Sequence, residues 1–496
     1  MARLSDLIIK GQETGSPKQS DDAGDSGGEC SKLEAKYQAI VSVNRNLSRQ
    51  LVSFQANKKA PFYRWFKYKE GFSRELVGYM LATLGPDRGR LLDPFAGTGT
   101  SLFAASEHGW SGVGIELLPA AAYVICARLA ALKVDTGRFA RAVQQIQDGQ
   151  WRNIKFCTPH YQHVPITEGA FPRPNEKDLN TYIAYCRQRV RDVSVRNLLL
   201  FAAFSILEDI SYTRKDGQYL RWDSRAGRRN GSATFSKGEI ATFGAAIKRQ
   251  LVKMLDDLSG STGSILNLLE SKTPPPETHS MVEWHEDSSL LKLCELPSGQ
   301  FDLVLTSPPY CNRYDYTRTY ALELAFLGCN EEDIKRLRQS MLSCTVENRE
   351  KVNFLFAEYR KRGYTELFKR AMQAFEGQRA LLEVLGALET LKNKGGLNNN
   401  GIVRMVRNYF LEMSLTIHQC ARVMRRGGHF VMINDNVQYA GQPVPVDLIL
   451  TDIAVEAGLK PKHVWTLNRG KGNSSQQMGT HGRTELRKSV YVWQKS

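Results

Sequence analysis

Residues 89–100 read Gly89-Arg90-Leu91-Leu92-Asp93-Pro94-Phe95-Ala96-Gly97-Thr98-Gly99-Thr100: a short apolar strand, a glycine-bearing turn, and the first residue of a new segment. Working outward, TSLFAASEHG (100–109) predicts a short helix stopped by Gly109, WSGVGIE (110–116) a second strand, and LPAAAYVICARLAALK (118–133) the next helix. Strand and helix in alternation mark a parallel sheet, whose ligands bind at the carboxyl ends of the strands. Glycines in such a turn let backbone approach a ligand closely. A lone GxG is a weak signal, since many such turns are only tight connections. Here the third glycine of a dinucleotide fingerprint and any GK[ST] are missing, which argues against a pyrophosphate or a nucleoside triphosphate. The second strand ends in Glu116, about 20 residues on, where a carboxylate can accept hydrogen bonds from both ribose hydroxyls. A nucleoside without phosphates is implied, with a solvated acid at a strand end as the plainer reading of Glu116.

The strand pattern returns late in the chain, in MVEWHEDSSLL (281–291), FDLVLTSPPY (301–310), RRGGHFVMIND (425–435), PKHVWTLNR (461–469) and RKSVYVWQK (487–495). In the second of these an apolar strand stops on Ser307-Pro308-Pro309-Tyr310. Two prolines after a buried strand force a rigid, extended exit. That rigidity suits one chemistry well. The exocyclic amino group of a base is a poor nucleophile because its lone pair is delocalised into the ring. Ser307 Oγ and the Pro308 carbonyl can hold its two hydrogens and make the nitrogen more pyramidal, while Tyr310 stacks on the base. An ordinary strand terminator could look the same alone; the glycine turn and Glu116 in the same chain favour the chemical reading.

With these residues in view, the sequence resembles the amino-methylating DNA methyltransferases, which use S-adenosylmethionine. The resemblance covers about 61–133 and 281–310, and more weakly 402–496. It implies a Rossmann-like class I methyltransferase sheet of the α/β class with helices on both faces, plus large, mainly helical insertions. DPFAGTGT looks like the cofactor loop, carried by Asp93, Phe95, Gly97, Gly99 and Thr100, with Glu116 at the ribose-binding acid and Asp287 as the acid that contacts the adenine amino group. KYKEGFSRELV (67–77) resembles the segment that closes over the methionine part, with Phe72 as its contact. ARVMRRGGHFVMIND (421–435) is similar to the helix, Gly-Gly turn and fifth strand. Ser307, Pro308, Pro309 and Tyr310 match the catalytic tetrapeptide; S-P-P-Y leans toward cytosine N4, whereas D-P-P-Y is commoner among adenine N6 enzymes. The sequence departs from the pattern in spacing: about 170 residues separate Glu116 from Asp287, so a domain is inserted there. Many S-P-P-Y enzymes also carry the two motifs in the opposite order.

The chain has 496 residues, roughly three domains' worth or one large α/β unit with insertions. Hydrophobic residues make up 42% and charged residues 24%, which excludes wholesale disorder. Lys plus Arg number 67 against 51 Asp plus Glu, a formal charge of +16, which favours a polyanionic partner. Double-stranded DNA fits first. No apolar run reaches about 18 residues and the start is too short an apolar stretch for a secretion signal, so the expected place is the cytoplasm, at the nucleoid of a prokaryote, with no membrane. Nine cysteines without a CxxC pair argue against a disulfide framework and a zinc cluster, leaving reduced, mostly buried thiols and no metal.

Residues 1–32, rich in Gly, Ser and Asp, read as a disordered tail, and 33–60 as an amphipathic helical arm. The core then divides into 61–133, 279–310 and 401–496, interrupted by an inserted domain at 134–278, rejoining the sheet at Pro274-Pro275-Pro276, and a helical insertion at 311–400. Within the first insertion SYTRKDGQYLRWDSRAGRRN (211–230) mixes Arg214, Lys215, Arg221, Arg225, Arg228 and Arg229 with Tyr212, Tyr219 and Trp222. Cations neutralise phosphates and aromatic faces stack on bases, so Arg214, Arg221, Trp222, Arg225 and Arg228 are nucleic-acid candidates, against the alternative of an exposed basic hairpin with core aromatics. Asn312, Arg313, Tyr314, Asp315, Tyr316 and Arg318 continue beside the tetrapeptide, with Arg313 a further candidate, and Asn468 to Asn473 form a cationic cluster. The expected activity is site-specific DNA methylation at cytosine N4, alongside a cognate restriction endonuclease. Adenine N6 methylation, an RNA base methyltransferase, and a catalytically silent nucleic-acid-binding subunit are the alternatives. Cys311 is not expected to act as a nucleophile.

Overall fold

The computed structural model describes residues 27–154, 160–216, 219–228, 235–260, 281–467 and 486–496. The tail to residue 26, Pro274 to Pro276, Arg229, the cluster from Asn468 to Asn473 and the side chain of Tyr219 lie outside the described residues. The described strands are, in chain order, β1 (Val41–Val43), β2 (Arg90–Asp93), β3 (Ser111–Glu116), β4 (Thr213–Asp216), β5 (Tyr219–Trp222), β6 (Val282–Glu286), β7 (Phe301–Thr306), β8 (Met424–Asp435), β9 (Val437–Tyr439), β10 (Gln442–Val444), β11 (Leu459–Thr466) and β12 (Lys488–Lys495). Eight of them form one mixed sheet in the order β1-β11-β12-β8-β7-β2-β3-β6. From β6 to β8 neighbouring strands run parallel, while β12 is antiparallel to both β8 and β11.

The strand sequences are apolar almost without a break, and each face takes alternate residues. Leu91, Leu303, Leu305, Val431, Ile433, Val490 and Val492 pack against the helices Arg74–Leu84 and Thr100–Glu107. Leu92, Val304, Phe430, Met432, Tyr491 and Trp493 pack on the other face, against Ile402–Val423 and Val446–Glu456. Burial on both faces is why these strands read as apolar runs and not as alternation. The fold is α/β. Among the described residues no helix is long and apolar enough to cross a membrane. The eight described cysteines are unbridged, and five of them are buried.

A second core lies within the helical layer. It joins Thr136–Gln147, Arg173–Arg189, Val193–Ser205 and Phe243–Gly260 of the first insertion to Pro119–Ala131 and to Ala321–Phe326. The arm expected as one amphipathic helix over 33–60 is instead a helix at Glu29–Tyr37, which begins within the expected tail, followed by β1 on the sheet edge beside β11. Val41 and Val43 favour a strand over a helix, and the Asn44 side chain turns the chain by accepting from Asn46 N at 2.9 Å. The Gly-Gly turn expected before β8 lies inside that strand as a bulge: Phe301 pairs with Met424, Leu303 with His429, and Gly427 has φ +79°.

On β3 the face toward Thr100–Glu107 is left to Gly112 and Gly114. A Cβ on Gly114 would come within 2.6 Å of a Leu102 methyl and 2.9 Å of Ala96 Cβ, and the latter is fixed to the turn backbone. Gly114→Ala is therefore expected to lower stability by about 1–3 kcal/mol through overpacking. The midpoint of urea unfolding, at unchanged slope, measures it.

Candidate functional site

Because β2, β3, β7 and β8 are parallel, Asp93, Glu116, Ser307 and Asp435 come to one edge of the sheet. Asp93 is 1% exposed. Its Oδ1 accepts from Phe95 N at 3.1 Å and Thr306 Oγ1 at 2.7 Å, and its Oδ2 accepts from Ser101 Oγ. Burial raises this carboxyl to about 6, against the pull of its donors. The group sequence reasoning placed at the ligand is thus spent on structure, tying the turn, the helix after it and β7 together.

The turn itself is held from three sides. Ala96 N donates to Ile115 O at 2.9 Å, Gly97 N donates to Glu116 Oε2 at 2.6 Å, and Leu118 N donates to Glu116 Oε1 at 2.7 Å. Burial pushes the Glu116 carboxyl up to about 7, partly offset by those two amides. Gly97 has φ +54°, and a Cβ there would stand 2.9 Å from the Tyr68 ring, so no other residue fits without displacing the aromatic. Arg128, 3% exposed, donates to the Thr98 carbonyl at 2.6 Å from behind. Burial lowers this guanidinium to about 10.

In front of the turn lies a pocket enclosing about 780 Å³, part of it open to solvent. Of the residues singled out from sequence, Phe72, Asp93, Phe95, Gly97, Thr100, Glu116, Ser307 and Pro309 line it. Gly99, Pro308, Tyr310 and Asp287 do not. Gly99, φ +74°, is the residue from which the helix starts. Asp287 N donates to Glu116 O at 3.2 Å, and its carboxylate accepts from Ser288 N at 2.6 Å; Ser288 and Ser289 reach the pocket in its place. Tyr68, Glu70, Tyr316, Met341 and Leu342 also line it. Tyr68 and Glu70 stand in the segment where only Phe72 was singled out, and Tyr316 follows the tetrapeptide, whereas Met341 and Leu342 arrive from the helical insertion and carry no local signal. The Glu70 carboxylate accepts from the hydroxyls of Tyr314 and Tyr320. Glu70, Asp93 and Glu116 give the lining three carboxyl groups, and no described Lys or Arg lines it. Such a pocket suits a cationic, phosphate-free guest.

At the rim, Ser307 Oγ stands 3.2 Å from the Tyr310 hydroxyl and 3.2 Å from the Ile433 carbonyl oxygen. Lys488 Nζ, from β12, lies 3.4 Å from the Tyr310 hydroxyl and 3.2 Å from Asp435 Oδ1. Cys311 is fully buried, and burial pushes its thiol well above the ordinary range, away from nucleophilic use.

The basic stretch of the first insertion folds as the β4–β5 hairpin, and its cations divide. Arg214 is exposed, and Arg221 lies with its guanidinium 4.3 Å from the Phe235 ring centroid. Arg225 clasps Asp223, and Arg228 covers the Trp222 ring at 4.5 Å while donating to Pro165 O at 2.9 Å. Trp222 is only 8% exposed, so its ring serves the packing of the hairpin and offers no open stacking face. Arg313 adopts φ +65° and donates to Asn398 Oδ1 at 2.8 Å, linking the tetrapeptide to the helical insertion. Lys215 is not a surface cation: it is paired with Glu323, and the two side chains are 3% and 1% exposed. Removing one partner of a buried pair strands the other, so Lys215→Ala is expected to cost about 3–5 kcal/mol. Arg214→Ala is expected to stay within about 0.5 kcal/mol. Chemical denaturation of both variants makes the comparison.

No family model matches the chain, and no solved structure matches it. Curated relatives do. The chain is 43% identical over 465 residues to the type II methyltransferase M.AvaI of Nostoc sp., covering 93% of this chain and 92% of the relative, and the same holds for M.AvaI of Anabaena variabilis. It is 37% identical over 478 residues to the type II methyltransferase M.BsoBI of Geobacillus stearothermophilus, covering 94% and 91%. Identity at this level over nearly the full length of both chains joins with the glycine turn, the carboxylate-lined pocket and the S-P-P-Y rim: the chain belongs to the type II methyltransferases.

Proposed function

We propose that the protein methylates DNA site-specifically, moving the methyl group of S-adenosylmethionine to an exocyclic amino nitrogen of a flipped base, with cytosine N4 as the acceptor. The observation that carries this reading is the juxtaposition, on one sheet edge, of a cation-free, carboxylate-lined pocket with Ser307 and Pro309 on its wall. The strand order, with a parallel run ending on antiparallel β12, supports the Rossmann-like class I reading of the sheet. The pocket fits the cofactor in charge as well as shape, since a sulfonium and an ammonium meet carboxylates there and no phosphate needs a cation. Glu116 would take the ribose hydroxyls, Phe72 and Phe95 the apolar surfaces, and the turn at Gly97 the close approach. When bound, S-adenosylmethionine supplies an electrophilic methyl group.

The chain's own part is placement. Ser307 Oγ and the Pro308 carbonyl accept the two amino hydrogens, which turns the nitrogen lone pair out of conjugation, and exclusion of water sharpens both contacts. We assign target recognition to the insertion at 134–278, with Arg214 and Arg221 as its phosphate contacts and Arg313 beside the flipped base, and we read a restriction endonuclease as the enzyme's counterpart. Asp287 is kept in this reading as an anchor for Ser288.

Ser307→Ala tests the assignment. One well-placed acceptor is worth on the order of 3 kcal/mol in the transfer step, so the single-turnover rate should fall roughly a hundredfold or more with cofactor and DNA affinities near wild type. A wild-type rate would sink the amino-directed reading.

Glu116 adds a pH dependence. Its carboxyl titrates at about 7, and only the ionised form accepts both ribose hydroxyls. Below that value binding must first release a proton, so affinity for S-adenosylmethionine should weaken as pH falls from 8 to 6, by at most about tenfold per unit. Calorimetry across this range should show the dependence in the wild type and a flatter profile in Glu116→Gln.

A further inference from the structure

Serine is an ambiguous acceptor. Its hydroxyl carries one hydrogen and two lone pairs, and it can present either to a base. An amino group needs the lone pair, whereas an oxo group at the same position would be welcomed by the hydrogen. The contacts around Ser307 resolve this ambiguity. Lys488 Nζ lies 3.4 Å from the Tyr310 hydroxyl, that hydroxyl lies 3.2 Å from Ser307 Oγ, and Ser307 Oγ lies 3.2 Å from the Ile433 carbonyl oxygen. An ammonium can only donate and a carbonyl can only accept, so the two ends fix the direction of everything between them. Tyr310 oxygen accepts from Lys488 and donates its hydrogen to Ser307. Ser307 in turn donates its single hydrogen to Ile433. One lone pair on Ser307 Oγ is taken by Tyr310, and one remains for the pocket that Ser307 lines.

We propose that Lys488 is a positioning and specificity residue: it polarises the Lys488–Tyr310–Ser307–Ile433 chain so that Ser307 meets the target base as an acceptor only, selecting amino over oxo groups. The inference rests on the methyltransferase reading above and assigns the last strand a part in the site. The ammonium is kept in place by the fold. Lys488 stands directly opposite Asp435 in the β12–β8 register, with Nζ 3.2 Å from Asp435 Oδ1. Burial works against its charge, but Asp435 and Tyr310 outweigh burial and hold it above the usual lysine range. The same ammonium lies 5.3 Å from the Tyr310 ring centroid, so it fixes the ring as well as the hydroxyl. Four residues from three strands and one turn thus give a serine the acceptor character that a carboxylate would have without help.

The test is a mutant cycle on the full-length enzyme, with unmethylated bacterial genomic DNA and methyl-labelled S-adenosylmethionine, read as single-turnover rate, cofactor affinity and DNA affinity. Lys488→Met keeps the aliphatic stem but cannot donate; its rate should fall about tenfold, the worth of one hydrogen bond, with both affinities within about twofold of wild type. Lys488→Arg, which donates, should recover most of the loss. Tyr310→Phe keeps the ring and breaks the chain at its middle, so the double variant Lys488→Met/Tyr310→Phe should be no slower than Tyr310→Phe alone. A wild-type rate in Lys488→Met, or losses that multiply in the double variant, would overturn the proposal. So would loss of cofactor binding in Lys488→Met that Lys488→Arg does not restore, since that marks a structural lysine. If Lys488→Met does not fold, Tyr310→Phe decides alone: a wild-type rate there removes the chain. The two readings fail differently, because a fast Ser307→Ala enzyme removes amino-directed transfer altogether, whereas a slow Ser307→Ala with a fast Lys488→Met removes only the relay.

Discussion

The carboxylate of Asp93 is buried at the end of the central strand, and three donors from three different elements converge on it: the amide of Phe95, the hydroxyl of Thr306 and the hydroxyl of Ser101. A buried carboxyl is costly unless it is fully hydrogen-bonded, and the rise of its titration to about 6 shows how strongly burial bears on it. Its partners are what the cost maintains. Through Phe95 it sets the entry to the glycine turn, through Ser101 the helix that follows, and through Thr306 the strand whose next residue is Ser307. The cofactor side and the transfer side of the pocket are therefore positioned by the same two oxygen atoms, which makes their separation a property of one buried group.

Around this anchor the electrostatics are arranged by sign. Carboxyl groups from Glu70, Asp93 and Glu116 face the pocket, while the nearest buried cations are turned away from it: Arg128 braces the Thr98 carbonyl from behind and Lys215 neutralises Glu323 in the helical layer. The net charge of +16 is thus not spent in the pocket. A positive exterior attracts a polyanion over distance, and a negative pocket holds a cation of small size; one chain serves both by keeping the two populations apart.

What the sequence made legible was whatever depends on neighbours in the chain. The glycine turn, Glu116 at the end of β3, the serine after β7 and the strand and helix of each unit are local patterns, and the structure places them together. What escaped was set by distance along the chain. Lys488 reaches Tyr310 from 178 residues away, and Met341 and Leu342 enter the pocket from an insertion whose pattern says only that it is helical. The basic hairpin shows the converse error: Lys215 and Trp222 carry the composition of a nucleic-acid surface, yet burial takes both into the core, because long and aromatic side chains serve packing as readily as recognition. The arm was misread for a related reason. Its apolar spacing suits a helix, but β1 gains hydrogen bonds from an open sheet edge that no local pattern announces.

The excursion between β3 and β6 is where the fold departs furthest from a minimal sheet, and its cost is smaller than its length suggests. Closing a loop grows only logarithmically with its length, each doubling adding about 0.6 kcal/mol, so a long insertion is tolerated if it folds on its own account. This one does, since its helices share a core. At its two ends the chain returns to the same place: Asp287 N donates to Glu116 O at 3.2 Å, and β6 pairs with β3 through residue 286. The insertion is not merely tethered there. Pro119–Ala131, which follows Glu116, belongs to the insertion's core through Ala120, Val124 and Ala127 while its Ile125 packs toward the sheet and lies against the Gly99 end of the turn. One helix thus has a face in each core. A body that carries the exposed Arg214 is for that reason fixed in orientation to the turn at Gly97, and any nucleic acid it holds is presented to the pocket at a set angle and not at the end of a flexible linker.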